Sequence, residues 1–372
     1  MTGARLLHGR LLTLDAHLDA PVHFARAGWS FGDRHHLCDD VAQLDLPRME
    51  DGNLSGGFFV VYTEQGSLDA EGYATALDAM RRRSDEIDQM LRTFADRIGA
   101  ATTAAEVRRL HADGRRVALR SIENCYFVGD DLAGLAEFHA RGVRLAGPVH
   151  SRTNQLADSA TDAPRWGGLS PLGCGWVVEM NRLGMVIDGS HASDAAFDAM
   201  LAASSTPLLL SHSGSRTAFD APRNLDDARL RALAAAGGVI CVATIYLSQL
   251  KLGVKRRELF RLHGRIFDLD PAAQRELAHD WNALDRDEPM WDAGFDDYLA
   301  ALLHIIDVAG VDHVGFGADW DGGGGLAGLE DVTGYPRVTE ALIERGFGED
   351  DLEKLWGGNI LRVLEAAQRG AA

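Results

Sequence analysis

The chain has 372 residues, of which 46% are hydrophobic, 25% charged and 7% aromatic, an ordinary globular composition that excludes a disordered, fibrous or membrane-embedded protein. Lys and Arg number 37 against 55 Asp and Glu, and the resulting formal charge of −18 makes nucleic-acid backbones and anionic membrane surfaces poor partners. The length admits two domains or one α/β barrel with insertions, and no repeat, linker or like-charge run divides it, so one continuous domain over 1–372 is the simpler reading.

From the N-terminus, the apolar stretch Leu6 to Leu14 is broken by Arg10 and followed by Asp15, too short for a signal sequence or a membrane span. Alternating short apolar runs and helical patterns then predict βα units around a parallel sheet. The expected strands are Leu11 to Asp15, Gly57 to Thr63, Val117 to Ile122, Val143 to Val149, Met185 to Asp188, Pro207 to Leu210, Val239 to Ile245 and His313 to Gly317. Eight strands predict a (β/α)8 TIM barrel. Between them, Leu77, Met80, Ile87, Leu91, Phe94 and Ile98 share one helical face, and further helices are expected over Leu132 to Ala140, Ala195 to Ala203, Asp226 to Ala236 and Tyr298 to Val308. Residues 247–294 form a long charged insertion between the seventh and eighth strands, partly helical, a candidate lid or contact in a homodimer. Cys38, Cys125, Cys174 and Cys241 are scattered without a C-x-x-C pair, so neither a zinc ribbon nor a disulfide framework is expected, and the cytoplasm is the default location.

Chemistry-bearing residues sit at the strand ends. His17 and Asp19 follow the first strand, Glu123 the third, and His150, His191, His212 and Asp319 the fourth, fifth, sixth and eighth. In a parallel barrel the carboxyl ends share one rim, so these residues converge on one cavity. Imidazoles favour zinc, and carboxylates bridge two cations while reducing their mutual repulsion. A lone His-x-Asp is more often a hydrogen-bonded surface pair, and a lone strand-end histidine a satisfied core residue, but their number here points the other way. Glu123 could equally be half of a buried ion pair, which needs a cation opposite it. No phosphate loop, H-E-x-x-H or G-x-S-x-G is present, and the acidic run at Asp319 to Asp321 lacks the further ligands of an EF-hand. His23, His35 and His36 read as solvent or supporting residues, and His111, His139 and His304 as structural ones.

Taken together, Asp15-Ala16-His17-Leu18-Asp19-Ala20-Pro21, Ser190-His191, Ser211-His212-Ser213, Pro222-Arg223-Asn224-Leu225, Gly315-Phe316-Gly317-Ala318-Asp319-Trp320-Asp321-Gly322 and Gly358-Asn359-Ile360-Leu361-Arg362-Val363 resemble the membrane (renal) dipeptidase family, peptidase family M19 of the amidohydrolase superfamily, over nearly the whole chain. The resemblance implies a (β/α)8 barrel with two zinc ions, His17, Asp19 and bridging Glu123 on one, and Glu123, His191 and His212 on the other. It gives His150 the substrate's carbonyl oxygen, Arg223 its free carboxylate and Asp319 the proton, with Asp321 as a rival for the last role. Tyr246 is a further candidate for the carboxylate. Leu18 departs from the polar residue of mammalian members, and no leader or lipid-anchor signal is recognised, which resembles a soluble bacterial-type member. The implied reaction is hydrolysis of a small dipeptide that tolerates a D-residue at its C-terminus. The rivals are an amidohydrolase of N-acyl amino acids, other small amides or lactones, and a catalytically silent, metal-stabilised binding protein.

Overall fold

Short apolar and β-branched runs become strands in the computed structural model, which describes residues 3–371. They are β1 (Leu14–Leu18), β2 (Gly56–Tyr62), β3 (Ile98–Ala100), β4 (Arg116–Glu123), β5 (Val143–Ala146), β6 (Val186–Ile187), β7 (Leu209–Ser213), β8 (Val239–Val242) and β9 (Val314–Phe316). All the ladders are parallel and fall into two sheets, β1-β2-β4-β5-β6 with β3 beside β4, and β7-β8-β9. Single parallel bridges join their edges, Asp188 to Leu209 on one side and Leu18 to Trp320 on the other. The architecture is α/β with a curled parallel sheet, its hydrogen-bonded ladders in two pieces where a continuous eight-stranded ring was expected.

The eight expected strands are all present, with shifted ends. The first starts at Leu14 rather than Leu11, because Thr13 and Ser55 bond through their side chains, Thr13 N donating to Ser55 Oγ at 3.1 Å, before the ladder begins. Ile98, expected to extend a helix, instead opens the additional strand β3. The helix Ala70–Thr93 is capped by Asp69, whose side chain accepts from Gly72 N at 2.9 Å, and it stops short of Ile98. Ser193 and Asp226 cap the helices Asp194–Ala203 and Asp227–Ala235 in the same way.

Strand side chains alternate, so Phe58 shares a face with Tyr62, and Val117 and Leu119 share one with Glu123. The apolar members of that face, Phe58, Val117 and Leu119, pack in one cluster with Ile360, Leu361, Val363 and Leu364 of the last helix, Asn359–Arg369. Each such burial contributes roughly 1.5–3 kcal/mol. At the carboxyl ends the same face turns polar, and there the candidate residues gather.

The insertion folds into helices Val254–His263 and Pro271–Asp287, which bury Leu259, Ile266, Leu277 and Leu284 against one another. It is tied to the β1–β2 connection by Arg26, whose guanidinium donates to Gln274 Oε1 at 3.1 and 3.0 Å and pairs with Asp40 at 2.9 Å. No helix among the described residues is long and apolar enough to cross a membrane.

Candidate metal and active site

Strands β1 and β7 each carry an irregularity where a histidine is needed. Asp15 and Leu18 pair with Gly57 and Phe59, and Leu210 and Ser213 with Ile240 and Val242, so each strand fits one extra residue into its register. Such bulges re-aim side chains. The rings of His17 and His212 end 3.8 Å apart, centre to centre. Both histidines therefore lie within their strands, Glu123 ends β4, and His150, His191 and Asp319 stand in the loops just beyond β5, β6 and β9.

The candidate ligands converge on Glu123. Its Oε1 is 2.8 Å from His191 Nε2, 3.5 Å from His212 Nε2 and 3.7 Å from His17 Nε2. The Nε2 atoms of His191 and His212 are 2.8 Å apart, and His17 Nε2 is 3.2 Å from Asp19 Oδ2. Four-coordinate zinc with bonds of about 2.0–2.1 Å holds neighbouring ligand atoms about 3.3 Å apart, so both triads have the spacing of a metal's donor set. The buried His17 Nε2 and His191 Nδ1 find no hydrogen-bond partner. These donors fit divalent cations.

Electrostatics point the same way. Burial raises the Glu123 and Asp319 carboxyls well above the usual range, because no buried positive charge fully offsets them. Burial alone would lower His17, but Asp19 and Glu123 outweigh it and hold the imidazole protonated, a proton standing where a metal would supply charge. His191 and His212 are pushed far below the ordinary histidine range by burial and by neighbouring cationic groups, which leaves neutral rings with lone pairs to offer.

One hydroxyl orients two of these rings. Ser211 Oγ donates to Asp188 Oδ2 at 2.5 Å and lies 3.2 Å from His17 Nδ1 and 2.8 Å from His212 Nδ1. A serine hydroxyl has one proton and two lone pairs, so with its proton on Asp188 it accepts from both imidazoles. Each ring then carries a proton on Nδ1 and turns Nε2 toward Glu123. Asp188 is itself fixed by the amides of Ser190 and Ser211, at 2.9 and 3.0 Å. Asp15 does similar work between β1 and β9, accepting from His17 N at 2.7 Å, Ala318 N at 3.1 Å and the Tyr335 hydroxyl. Sequence reasoning passed over Ser211, Asp188 and Asp15 as supports, although all three adjoin or lie close to the motif histidines.

The remaining candidates ring the cluster. His150 Nε2 is 3.9 Å from Glu123 Oε1, its pKa lowered to about 4 by burial and by Arg223, and Tyr62 packs edge-on against its ring with centroids 5.0 Å apart. Tyr62 is another residue the sequence did not single out; it pairs with Glu123 across β2 and β4. Arg223 is buried, donates to the carbonyl of His212 at 3.2 Å, leaves Nε unpartnered and lies 5.7 Å from the ring centre of Tyr246. Tyr246 lies four residues beyond β8 rather than at a strand end, and Asn224 ties its carbonyl to the Arg223 loop at 2.9 Å. Asp319 Oδ1 is 3.8 Å from His17 Nε2. A side chain at Gly322 would run into the Asp19 and Asp319 carboxylates, so glycine is required there.

Among the described residues, His191, Tyr246, Asp319, Asp321 and Asn124 take positive φ, with Asn53 as the one other non-glycine case. Backbone strain of this kind costs about 1–3 kcal/mol per residue and gathers at functional sites. His23 is fully buried, which corrects the solvent reading, and its Nε2 is 3.3 Å from Asp321 Oδ1. His35 is partly buried and stacked on Trp29, while His111, His139 and His304 lie in helices.

The model of the family described as membrane dipeptidase, peptidase family M19, matches residues 1–372. The dipeptidase tcpJ of Claviceps purpurea is 32% identical over 368 residues, covering 96% of this chain and 77% of that protein. The crystal structure of the probable dipeptidase PvdM from Pseudomonas aeruginosa superposes with a TM-score of 0.84 at 32% identity, covering 99% of this chain and 98% of that one. A metallopeptidase from Rhodobacter sphaeroides, solved with a phosphinate mimic of the dipeptide L-Ala-D-Ala, superposes with a TM-score of 0.76 at 27% identity, covering 96% and 99%.

Proposed function

The chain belongs to peptidase family M19, the membrane dipeptidases, and from that premise we propose that it is a zinc-dependent dipeptidase whose substrates end in a free carboxylate, with a D-residue tolerated at that end. The observation that carries this reading is the convergence of four histidines, His17, His150, His191 and His212, with the carboxylates of Asp19, Glu123 and Asp319, beside a buried, incompletely bonded arginine. The dipeptide mimic bound by the Rhodobacter sphaeroides relative supports the substrate class and the D-residue. We read the two sheets and their two bridges as one eight-stranded (β/α)8 barrel, and residues 1–372 as one catalytic unit. Free cysteines at all four positions fit a reducing cytoplasm.

His17, Asp19 and Glu123 would hold one zinc ion, and Glu123, His191 and His212 a second. Zinc supplies Lewis-acid polarisation of the scissile carbonyl and brings the pKa of water down to about 7. The chain's own residues do the rest. His150, kept neutral by burial, donates a hydrogen bond to the carbonyl oxygen as negative charge develops there. Water oxygen adds to the carbonyl carbon while Asp319 takes the water proton. As the C–N bond breaks, Asp319 returns that proton to the leaving nitrogen, which avoids expelling an amide anion. Arg223 offers its planar fork to the C-terminal carboxylate, with Tyr246 beside it.

The carboxylate clamp is tested by Arg223→Met. KM for dipeptides should rise, and most of the preference for a free acid over the matched C-terminal amide should vanish from kcat/KM. Equal discrimination in wild type and variant would mean that another residue reads the carboxylate; no discrimination in the wild type would favour a general amidohydrolase.

A further inference from the structure

The hydroxyl of Ser211 reaches across the two zinc sites proposed above. It lies 3.2 Å from Nδ1 of His17, a ligand of the first, and 2.8 Å from Nδ1 of His212, a ligand of the second. Ser211 is wholly buried, so water has no access to replace either bond. His191 is held differently: its Nδ1 has no hydrogen-bond partner, and its ring stands on a backbone with φ of 64°.

A serine oxygen has two lone pairs and can accept two hydrogen bonds. Both are left for the imidazoles because Asp188 takes the hydroxyl proton, its Oδ2 lying 2.5 Å from Ser211 Oγ. The other carboxylate oxygen, Oδ1, is engaged by two groups that can only donate, the backbone amides of Ser190 and Ser211 at 2.9 and 3.0 Å. Ser190 Oγ, 3.4 Å from Ser211 Oγ, is farther from it than either ring nitrogen and accepts from His212 N at 3.1 Å.

We propose that Ser211 and Asp188 form one positioning pair shared by both zinc sites, and that the two sites draw on the same two lone pairs, so that when one lone pair is diverted the His17 site is the one that weakens. This deepens the zinc reading and rests on it. Removing the hydroxyl leaves both Nδ1–H groups buried without an acceptor, which loosens a ligand of each ion. Asp188→Asn acts on one. The two backbone amides keep the oxygen of the new side chain at their end, which turns its NH2 group toward Ser211 Oγ as a donor. One lone pair is then spent on that donor, and one remains for two rings. His212, the nearer, keeps it, and His17 loses its acceptor.

The test titrates zinc into metal-free protein against a chromophoric chelator, with the metal-free melting temperature recorded for each variant. Wild type should bind about two ions. Ser211→Ala should weaken both by about 10–100-fold, whereas Asp188→Asn should weaken one by that factor and leave the other within about threefold of wild type. Single-site backgrounds identify the weakened one: adding Asp188→Asn to His191→Ala should loosen the remaining ion, and adding it to His17→Ala should not. Asp188→Asn preserves the shape of the side chain and decides the question alone if Ser211→Ala folds poorly. Both affinities unchanged in either variant, equal weakening of the two in Asp188→Asn, or a loss confined to the His17→Ala background would overturn the assignment. A wild type that binds no zinc would instead count against the metal reading itself.

Discussion

Asp319→Asn should lower turnover by about 10²–10⁴-fold while metal content, fold and KM stay close to wild type. Asparagine keeps the shape of the side chain and one oxygen facing His17, but it can neither take the water proton nor return one to the leaving nitrogen. Its φ of 67° is tolerated by asparagine as readily as by aspartate, so the turn after β9 has no reason to move. Elemental analysis alongside kinetics separates the outcomes. A variant that loses metal in proportion to activity would make Asp319 a ligand, and one that keeps full turnover would pass the proton role to Asp321.

Glu123→Gln should have opposite effects on the metal-free and metal-loaded protein. Burial raises the wild-type Glu123 carboxyl to about 8, so above the ordinary carboxylate range the metal-free fold must either bury a charge that His17 and Arg223 offset only in part or take up a proton, and neutral glutamine avoids that cost. Metal-free Glu123→Gln should therefore melt at or above the wild-type temperature. In the presence of zinc the order reverses, because the side chain common to both ligand sets has lost its charge. The zinc-induced rise in Tm should largely disappear, affinity should fall by more than the roughly 10–100-fold that follows loss of a ligand's supporting partner, and turnover by more than about 10²-fold. Thermal melts with and without zinc test both signs. A variant that binds zinc as well as wild type would remove Glu123 from the ligand set.

The parts of this site legible in the sequence are those announced by a strand. A run such as Leu208-Leu209-Leu210 followed by Ser-His places a histidine at a carboxyl end, and parallel strands bring such ends together whatever lies between them in sequence. Supports that act across strands leave no such trace. Ser211 looks like a filler before His212, and its link to His17, 194 positions away, exists only once β1 and β7 are both bent at their bulges. Strand β3 is invisible for a related reason: three residues, one a glycine, become a strand only because Arg116 to Ala118 lie alongside them. His23 reads as a loop residue because the groups around it, Trp29, Asp321 and His263 of the insertion, come together only in the fold. The insertion is helical as its pattern predicts, but the cluster it forms depends on how its few apolar residues pack on one another and is not encoded in any periodicity.

The measurement that bears most directly on the account is amino-acid release from L-Ala-L-Ala and L-Ala-D-Ala by purified protein stripped of metal and then titrated with zinc. The account predicts no hydrolysis without metal, and cleavage of both dipeptides that rises until about two zinc ions are bound per chain. Hydrolysis that persists after chelation, or no cleavage of either dipeptide at any zinc loading, would contradict it.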